Sequence, residues 1–226
     1  MIAQENFQCR LASLLLHQAC FVAKSIGLHQ QNALLTDQTP EEALECKYVF
    51  WALYLIDKTI ALTMGHSCYL PIFDCDVSVP ENDPANPFLK HFVARIELAI
   101  IQEDSYQSLY SSQACRRGHS ERSSSISRLD RKLALWARKH QALCEEGHEA
   151  HNGSSSNSSH VNTALSYYFY STRILVDRPC RDPAHKKQCR EDARNCVQLL
   201  QRLSGESELI AGAVMLRQYV RSSLPL

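Results

Sequence analysis

Four side chains near the middle of the chain are metal-binding types at a regular spacing. His140, Cys144 and His148 lie four residues apart, and His151 follows them. A continuous helix would place the first three on one face, where nitrogen and sulfur ligands suit zinc. However, the stretch is rich in glutamate and runs into a Ser-rich segment, and a tetrahedral site normally draws its ligands from two elements. These features favour a solvated face, and we predict no metal site there.

Two further groups contain metal-binding residue types without the spacing that a metal needs. One is an acidic group in a Pro-rich segment, formed by Asp74, Asp76, Glu81 and Asp83. It lacks the D-x-D-x-D-G pattern of a calcium loop, so we expect turn and cap chemistry. The other is a cysteine group, formed by Cys180, Cys189 and Cys196. None of the ten cysteines forms a C-x-x-C pair, which favours free, buried thiols.

The charge balance gives no reason to expect DNA binding by this chain. Lys and Arg total 24, Asp and Glu total 24, and the formal net charge is zero. Phosphate binding needs a basic surplus. A basic stretch is formed by Arg116, Arg117, Arg122, Arg128 and Arg131. Its arginines are interleaved with serines, which favours a solvated loop over a nucleic-acid or localisation site.

Neither catalysis nor membrane insertion is indicated by the sequence. It contains no G-x-S-x-G, Walker loop, G-x-G-x-x-G or H-E-x-x-H. The longest apolar run extends only from Val49 to Ile56, whereas a membrane span needs about 20 residues. The N-terminus lacks the basic region of a secretory signal, so we expect the chain to stay inside the cell.

An aromatic group is the best sequence candidate for a ligand cavity. Phe50, Trp51 and Tyr54 could line such a cavity beside Phe88 or Tyr168. Aromatic side chains at helical spacing are more often core residues, and the core is the role that we expect for them.

The sequence predicts helices for the segments that carry the side chains named above. A first helix has a face formed by Leu11, Leu15, Ala19, Val22 and Ile26. A second helix opens with Thr39-Pro40-Glu41-Glu42, which has the pattern of a capping box, and ends at Gly65. Because it is apolar on all sides between Val49 and Ile56, we expect it at the centre of the core.

Five more helices are expected, through residues 86–110, 129–143, 165–176, 182–203 and 209–220. A Pro-rich loop at 65–87 and a flexible Ser-rich insertion at 147–160 interrupt them. No convincing strand is found. We therefore predict an all-α fold of about seven helices, forming a single domain over residues 1–226.

Several short motifs follow one another along the chain in a recognisable order. In the first half they are Ser25-Ile26-Gly27-Leu28-His29, Phe50-Trp51-Ala52-Leu53-Tyr54-Leu55-Ile56-Asp57-Lys58, Gly65 and Leu70-Pro71. In the second half they are Leu133 with Trp136, Leu165 with Tyr168, Arg178-Pro179, and Cys189 with Ala193. Over roughly residues 10 to 204, this order resembles the fungal-specific transcription factor domain. That domain is the middle homology region of fungal regulators with a six-cysteine binuclear zinc cluster.

The chain departs from the family pattern at three places. The turn after the second helix reads Gly65-His66-Ser67 where the family usually has Gly-Arg-Pro. The basic residues that usually precede the Phe-Trp pair are reduced to Lys47. The zinc cluster, which needs paired C-x-x-C spacings, is absent from this chain. Because the family domain has helices upstream of this start, the resemblance leads us to expect a truncated protein, a gene-model fragment or a member without its DNA-binding end.

The resemblance implies a regulatory domain that acts in the nucleus on RNA polymerase II transcription, without catalysis. It implies that DNA and zinc are bound by a module outside this chain, and that this chain itself holds no cofactor or metal. Its expected partners are other protein subunits or a small-molecule effector. If an effector is sensed, Trp51, Tyr54 and the loop from Gly65 to Pro71 are the residues expected to contact it.

Two other hypotheses remain open at the level of sequence. The first is an all-helical enzyme that uses histidine and cysteine side chains near residues 140–151 and contains zinc. The second is a non-functional or dominant-negative fragment that pairs with a full-length relative and exposes apolar surface where upstream helices would pack.

Overall fold

The computed structural model describes residues 2–31, 39–81, 87–143 and 156–203. These residues form long helices joined by loops, and no strand occurs within those ranges. The long helices are α1 (Ile2–Ser25), α2 (Pro40–Met64), α3 (Pro87–Ser105), α4 (His119–Lys139), α5 (Ser156–Asp177) and α6 (Pro183–Leu203). Short 3-10 turns lie at Ile72–Asp74 and Ala114–Arg116, and a π-helical turn lies at Tyr106–Tyr110. The all-α prediction is confirmed. The helix expected at 209–220 lies outside the described residues.

The chain divides into two compact units, and the boundary falls between Glu103 and Asp104, inside α3. The assignment of residues 1–226 to one domain stays a prediction. The Ser-rich insertion expected at 147–160 lies mostly outside the described residues, and α5 already begins at Ser156. No helix in the described ranges is long and apolar enough to cross a membrane.

The ends of α2 follow from local chemistry that the sequence displays. The Thr39 side chain accepts the N–H of Glu42, and the Glu42 carboxylate accepts the N–H of Thr39 at 2.8 Å, which completes the capping box. At the other end, Gly65 adopts φ 70°, and its N–H donates to the carbonyl of Ala61. A left-handed conformation at this position suits glycine and terminates the helix as expected.

The core of the first unit lies on the aromatic side of α2. Phe50, Trp51 and Tyr54 are at most 1% exposed, and they pack with buried residues of α1, α3 and the loop after α2. The opposite flank of α2 is exposed to solvent, where Val49 is 58% exposed and Ile56 is 51% exposed. The expectation that α2 is enclosed on all sides is therefore wrong for this flank, since its partners in the unit pack against the aromatic side.

α1 buries a different face from the one that its sequence suggested. Its buried residues are Leu16, Cys20 and Ala23. The predicted face of Leu11, Leu15, Ala19, Val22 and Ile26 is exposed throughout. α1 carries two apolar stripes, and the small side chains of Cys20 and Ala23 allow a close approach to the neighbouring helix. Periodicity alone could not distinguish these stripes, so the predicted face was wrong.

The second unit is built from α4, α5 and α6. α4 contributes the buried residues Ile126, Leu129, Leu133 and Trp136, and the Trp136 ring stacks on Phe169 of α5 with centroids 5.3 Å apart. Cys196 and Leu199 of α6 pack with Tyr167 of α5. Before α6, the Asp182 carboxylate accepts the N–H of Ala184 at 2.8 Å, so Asp182-Pro183 opens the helix as expected.

The prediction that the basic stretch is a solvated loop holds for Arg116 and Arg117, which are exposed before α4, and is wrong for the other three arginines. Arg122, Arg128 and Arg131 lie on α4, which begins at His119. Arg128 forms a bidentate ion pair with Asp104, at 2.5 and 2.8 Å, and Lys132 approaches the same carboxylate at 2.6 Å. Burial opposes the charge of Asp104, but these hydrogen bonds hold its pKa well below the usual range. Serine costs only tenths of a kcal/mol at exposed helical positions, which the pair with Asp104 offsets.

Candidate functional site

Residues of the aromatic motif form a packed core, and their polar atoms are bonded to protein groups. Trp51 lies 5.1 Å from both Phe50 and Tyr54 between ring centroids, in edge-to-face contacts. The Trp51 Nε1–H donates to the carbonyl of Ser78 at 3.1 Å, and the Tyr54 hydroxyl donates to Glu103 at 2.9 Å. Burial and the neighbouring carboxylate raise the pKa of Tyr54 far above its ordinary value. The expected core role is confirmed.

Asp57 and Lys58 continue α2 beyond the aromatic residues, and both are enclosed. The Asp57 carboxylate accepts the main-chain N–H groups of Tyr69 and Leu70 at 3.0 and 2.9 Å. The Lys58 ammonium donates to Asp57 at 3.0 Å and to the carbonyl of Leu70. The side chains of Lys58 and Asp57 are 1% and 0% exposed. This pair therefore fixes the start of the loop through its main chain.

Glu103 of α3 completes the buried ionic network. Its carboxylate lies 3.3 Å from the Lys58 ammonium and accepts the main-chain N–H of Ile72 at 3.0 Å. Burial lowers the pKa of Lys58, but Asp57, Cys68 and Glu103 outweigh it, so the net pKa is raised. Lys58 therefore stays charged, and two helices hold residues 69–72 between them. We call Tyr54, Asp57, Lys58 and Glu103 the loop anchor.

The turn after α1 is fastened to the far end of the same loop. Gly27 adopts φ 75°, and Leu28 is buried. The Asp76 N–H donates to the carbonyl of His29 at 3.2 Å, and the Asp76 carboxylate accepts the N–H of Gln31 at 2.6 Å. The motif around Gly27, Leu28 and His29 thus positions the loop as well as ending α1.

The expected turn and cap role of the acidic group is only part of what the structure shows. Asp74 pairs with Lys24 of α1 at 2.5 Å, and Asp76 bonds the main chain of Gln31. Both contacts are long-range tethers between the loop and the end of α1. Glu81 is exposed, and Asp83 lies outside the described residues.

The family-motif residues of the first unit lie in this loop or beside it. Gly65 ends α2 immediately before the loop, and Leu70 is fully buried within it. In the second unit, Trp136 stacks on α5 and Tyr168 lies half-buried on α5. Arg178 and Pro179 form the turn after α5, where the Arg178 N–H donates to the carbonyl of Ile174 at 2.9 Å. The contact of Trp51, Tyr54 and Gly65 with an effector stays a prediction.

Sequence reasoning missed the roles of Lys58 and Glu103. The sequence places Asp57 and Lys58 in the family motif and at the end of an apolar run, yet apolar residues resume at Ile60 and Ala61 of the same helix. Two adjacent charges inside such a helix must be paired, because an unpaired buried charge costs several kcal/mol. That signal was present, whereas the partner Glu103 lies 45 positions after Lys58 and could not be assigned from the sequence.

The metal-binding patterns are not assembled as metal sites in the described residues. His140 is buried beside Trp136, with ring centroids 5.1 Å apart, which corrects the expected solvated face at this residue. Cys144, His148 and His151 lie outside the described residues. Cys196 is buried, as expected, and burial raises its pKa to about 12. The eight cysteines whose side chains the structure describes are free, and no three of them gather at metal-binding distance. They do not fit a binuclear zinc cluster.

Comparison with known proteins identifies the family. Residues 4–138, more than half of the chain, match the fungal specific transcription factor domain. The chain is 26% identical over 211 residues to the transcription factor oryO of Aspergillus oryzae, covering 93% of this chain and 25% of that protein. It is 28% identical over 210 residues to an uncharacterised transcriptional regulatory protein of Schizosaccharomyces pombe, covering 84% of this chain and 32% of that protein.

A third relative, an ABC-transporter-regulating transcription factor of Aspergillus oryzae, is 30% identical over 126 residues, which cover 51% of this chain and 14% of that protein. No solved structure matches the chain. The chain spans about a quarter to a third of the length of its first two relatives. The chain therefore belongs to the fungal-specific transcription factor domain family.

Proposed function

We propose that this chain is the regulatory domain of a zinc-cluster-type transcription factor and controls RNA polymerase II transcription in the nucleus. The observation that carries the proposal is the family match, together with relatives that are named as transcription factors. The zero net charge supports a regulatory role over DNA contact. We assign DNA binding and the zinc ions to a module outside this chain, and we assign no catalysis or cofactor to the chain itself.

The loop anchor supplies a physical basis for regulation. Its carboxylates hold the main chain at Tyr69, Leu70 and Ile72, so the loop has a defined position on α2 and α3. A protein subunit or an effector that binds the anchored loop better than a released one would shift the population between the two states. We propose that such a shift exposes or hides the contacts through which the domain restrains activation.

A reporter assay tests the proposal. The full chain is placed between a heterologous DNA-binding domain and an acidic activation segment, and a Gly/Ser spacer of equal length replaces it in the reference fusion. We expect the chain to change reporter output several-fold at equal protein level. The Lys58→Met substitution, which breaks the anchor, should move the output toward that of the spacer. Lys90→Met, at an exposed position of α3, is the matched control and should leave the output unchanged.

Two results would count against the proposal. One is equal output from the chain and the spacer at equal protein level, because a regulatory domain must alter transcription. The other is a specific, tight complex of the isolated chain with duplex DNA at physiological salt, because the proposed role places DNA contact in another module.

A further inference from the structure

Three side chains from three helices meet in the second unit. Asp130 lies on α4, Asp177 is the last residue of α5, and His185 lies in the first turn of α6. His185 Nδ1 is 2.6 Å from the Asp177 carboxylate and 4.0 Å from the Asp130 carboxylate. One ligand atom from each side chain lies within 4.8 Å of the others. Within the described ranges, no other group of three or more such side chains is this close.

These three residues line one cleft of about 360 Å³. Its other walls include the apolar side chains of Leu133, Ala134 and Phe169. Arg173 also reaches the cleft, but its guanidinium is bonded to the fully buried carboxylate of Asp192 on α6. The charge of Arg173 is therefore largely matched by Asp192. The cleft has apolar walls, and the side chains of Asp130, Asp177 and His185 supply its nitrogen and oxygen donors.

The charge of the group favours a cation. Two carboxylates, those of Asp130 and Asp177, face one imidazole, and His185 Nδ1 is hydrogen-bonded to Asp177 at 2.6 Å. A histidine side chain carries at most one positive charge, so it cannot match both carboxylates. A divalent ion with a neutral imidazole would match both carboxylates, and it would replace the proton that His185 shares with Asp177.

We propose that Asp130, Asp177 and His185 bind a divalent transition-metal ion in this cleft. Bonds of about 2.1 Å allow two ligand atoms on one ion to lie up to about 4.2 Å apart, so the observed separations need only small side-chain shifts. An imidazole nitrogen favours a first-row transition ion over Mg²⁺ or Ca²⁺, and two carboxylates make the site suitable for Mn²⁺. The cleft leaves further coordination positions open to water. The ion joins α4, α5 and α6, and this inference does not depend on the proposed function.

Mn²⁺ is the probe of choice because the chain has ten cysteines, which bind softer ions such as Zn²⁺. The full chain is titrated with Mn²⁺, and free Mn²⁺ is followed by electron paramagnetic resonance. We expect one class of site and a nitrogen coupling from the imidazole in the pulsed spectrum. Asp130→Asn and His185→Gln should each weaken binding by about tenfold or more, and His185→Gln should abolish the nitrogen coupling.

Two controls distinguish a loss of Mn²⁺ ligands from a loss of the fold. Asp130 is about one-third exposed, so Asp130→Asn should keep the fold, which circular dichroism checks. Glu191→Gln, on α6 with a side chain 45% exposed, is the matched control and should bind Mn²⁺ as the unmodified chain does. Equal Mn²⁺ affinity in the unmodified chain, Asp130→Asn and His185→Gln would overturn the proposal. So would the absence of any binding by the unmodified chain at millimolar Mn²⁺.

Discussion

The Lys58→Met substitution tests whether the loop anchor holds the first unit together. Methionine keeps the length of the side chain but removes an ammonium group that lies 3.0 Å from Asp57 and 3.3 Å from Glu103. Removing one partner from a buried ionic group costs about 3–5 kcal/mol, because the remaining charge stays desolvated. For a chain of this size, each kcal/mol lowers the melting temperature by roughly 2–4 °C. We therefore expect a fall of roughly 6–20 °C in thermal unfolding.

The pKa of Lys58 sets the pH range over which the loop anchor contributes to stability. In the unmodified chain the pKa of Lys58 is raised, so its contribution is present below its unfolded pKa and is lost only at strongly alkaline pH.

The measurement is the difference in unfolding free energy between Lys58→Met and the unmodified chain at several pH values. Lys90→Met controls for the substitution at an exposed lysine and should change stability by less than about 0.5 kcal/mol. The reasoning is refuted if Lys58→Met costs less than about 1 kcal/mol, which is the range of an exposed ion pair. It is also refuted if the loss is as large at strongly alkaline pH as at neutral pH, because a loss of charge pairing must shrink where Lys58 of the unmodified chain becomes neutral.

Three further predictions concern local features. Thr39→Ala removes the capping box of α2 and should cost about 1 kcal/mol in thermal unfolding, with Thr39→Ser as the conservative control. Gly65→Ala meets no atom within 4 Å, but φ 70° strains a side chain, so chemical denaturation should show a loss of about 1–2 kcal/mol. Cys115 is exposed and should react with a maleimide at pH 7 in the native chain. Cys196, buried with a pKa of about 12, should react only after unfolding, as mass spectrometry can show.

The boundaries of α2 were predictable because they depend on neighbours in sequence. Thr39 and Glu42 are three residues apart, and Gly65 supplies the left-handed conformation without a distant partner. The aromatic core was predictable for a similar reason, since Phe50, Trp51 and Tyr54 are too large and apolar to be left in solvent together. These features require no knowledge of what packs against the helix.

The predictions that were wrong concern features that depend on what packs against each element. The buried face of α1 depends on which of two apolar stripes meets α2, and the ion pair that holds Arg128 on α4 depends on Asp104 of α3. His140 is buried beside Trp136, although the segment that follows it is rich in glutamate. The Asp130, Asp177 and His185 group joins residues that no motif connects. Contacts between residues far apart in the sequence decide most of these cases, and a single sequence does not record them.

Main-chain recognition by the loop anchor affects how freely the loop sequence can change. Asp57 and Glu103 bind N–H groups of Tyr69, Leu70 and Ile72, which every amino acid except proline possesses. The surface side chains of the loop can therefore be exchanged during evolution without moving its backbone. Such exchanges would alter the surface of the loop while its main-chain hydrogen bonds to the two carboxylates remained in place. Replacement of Ile72 by proline would remove the N–H group that donates to Glu103, so this arrangement does not tolerate that change.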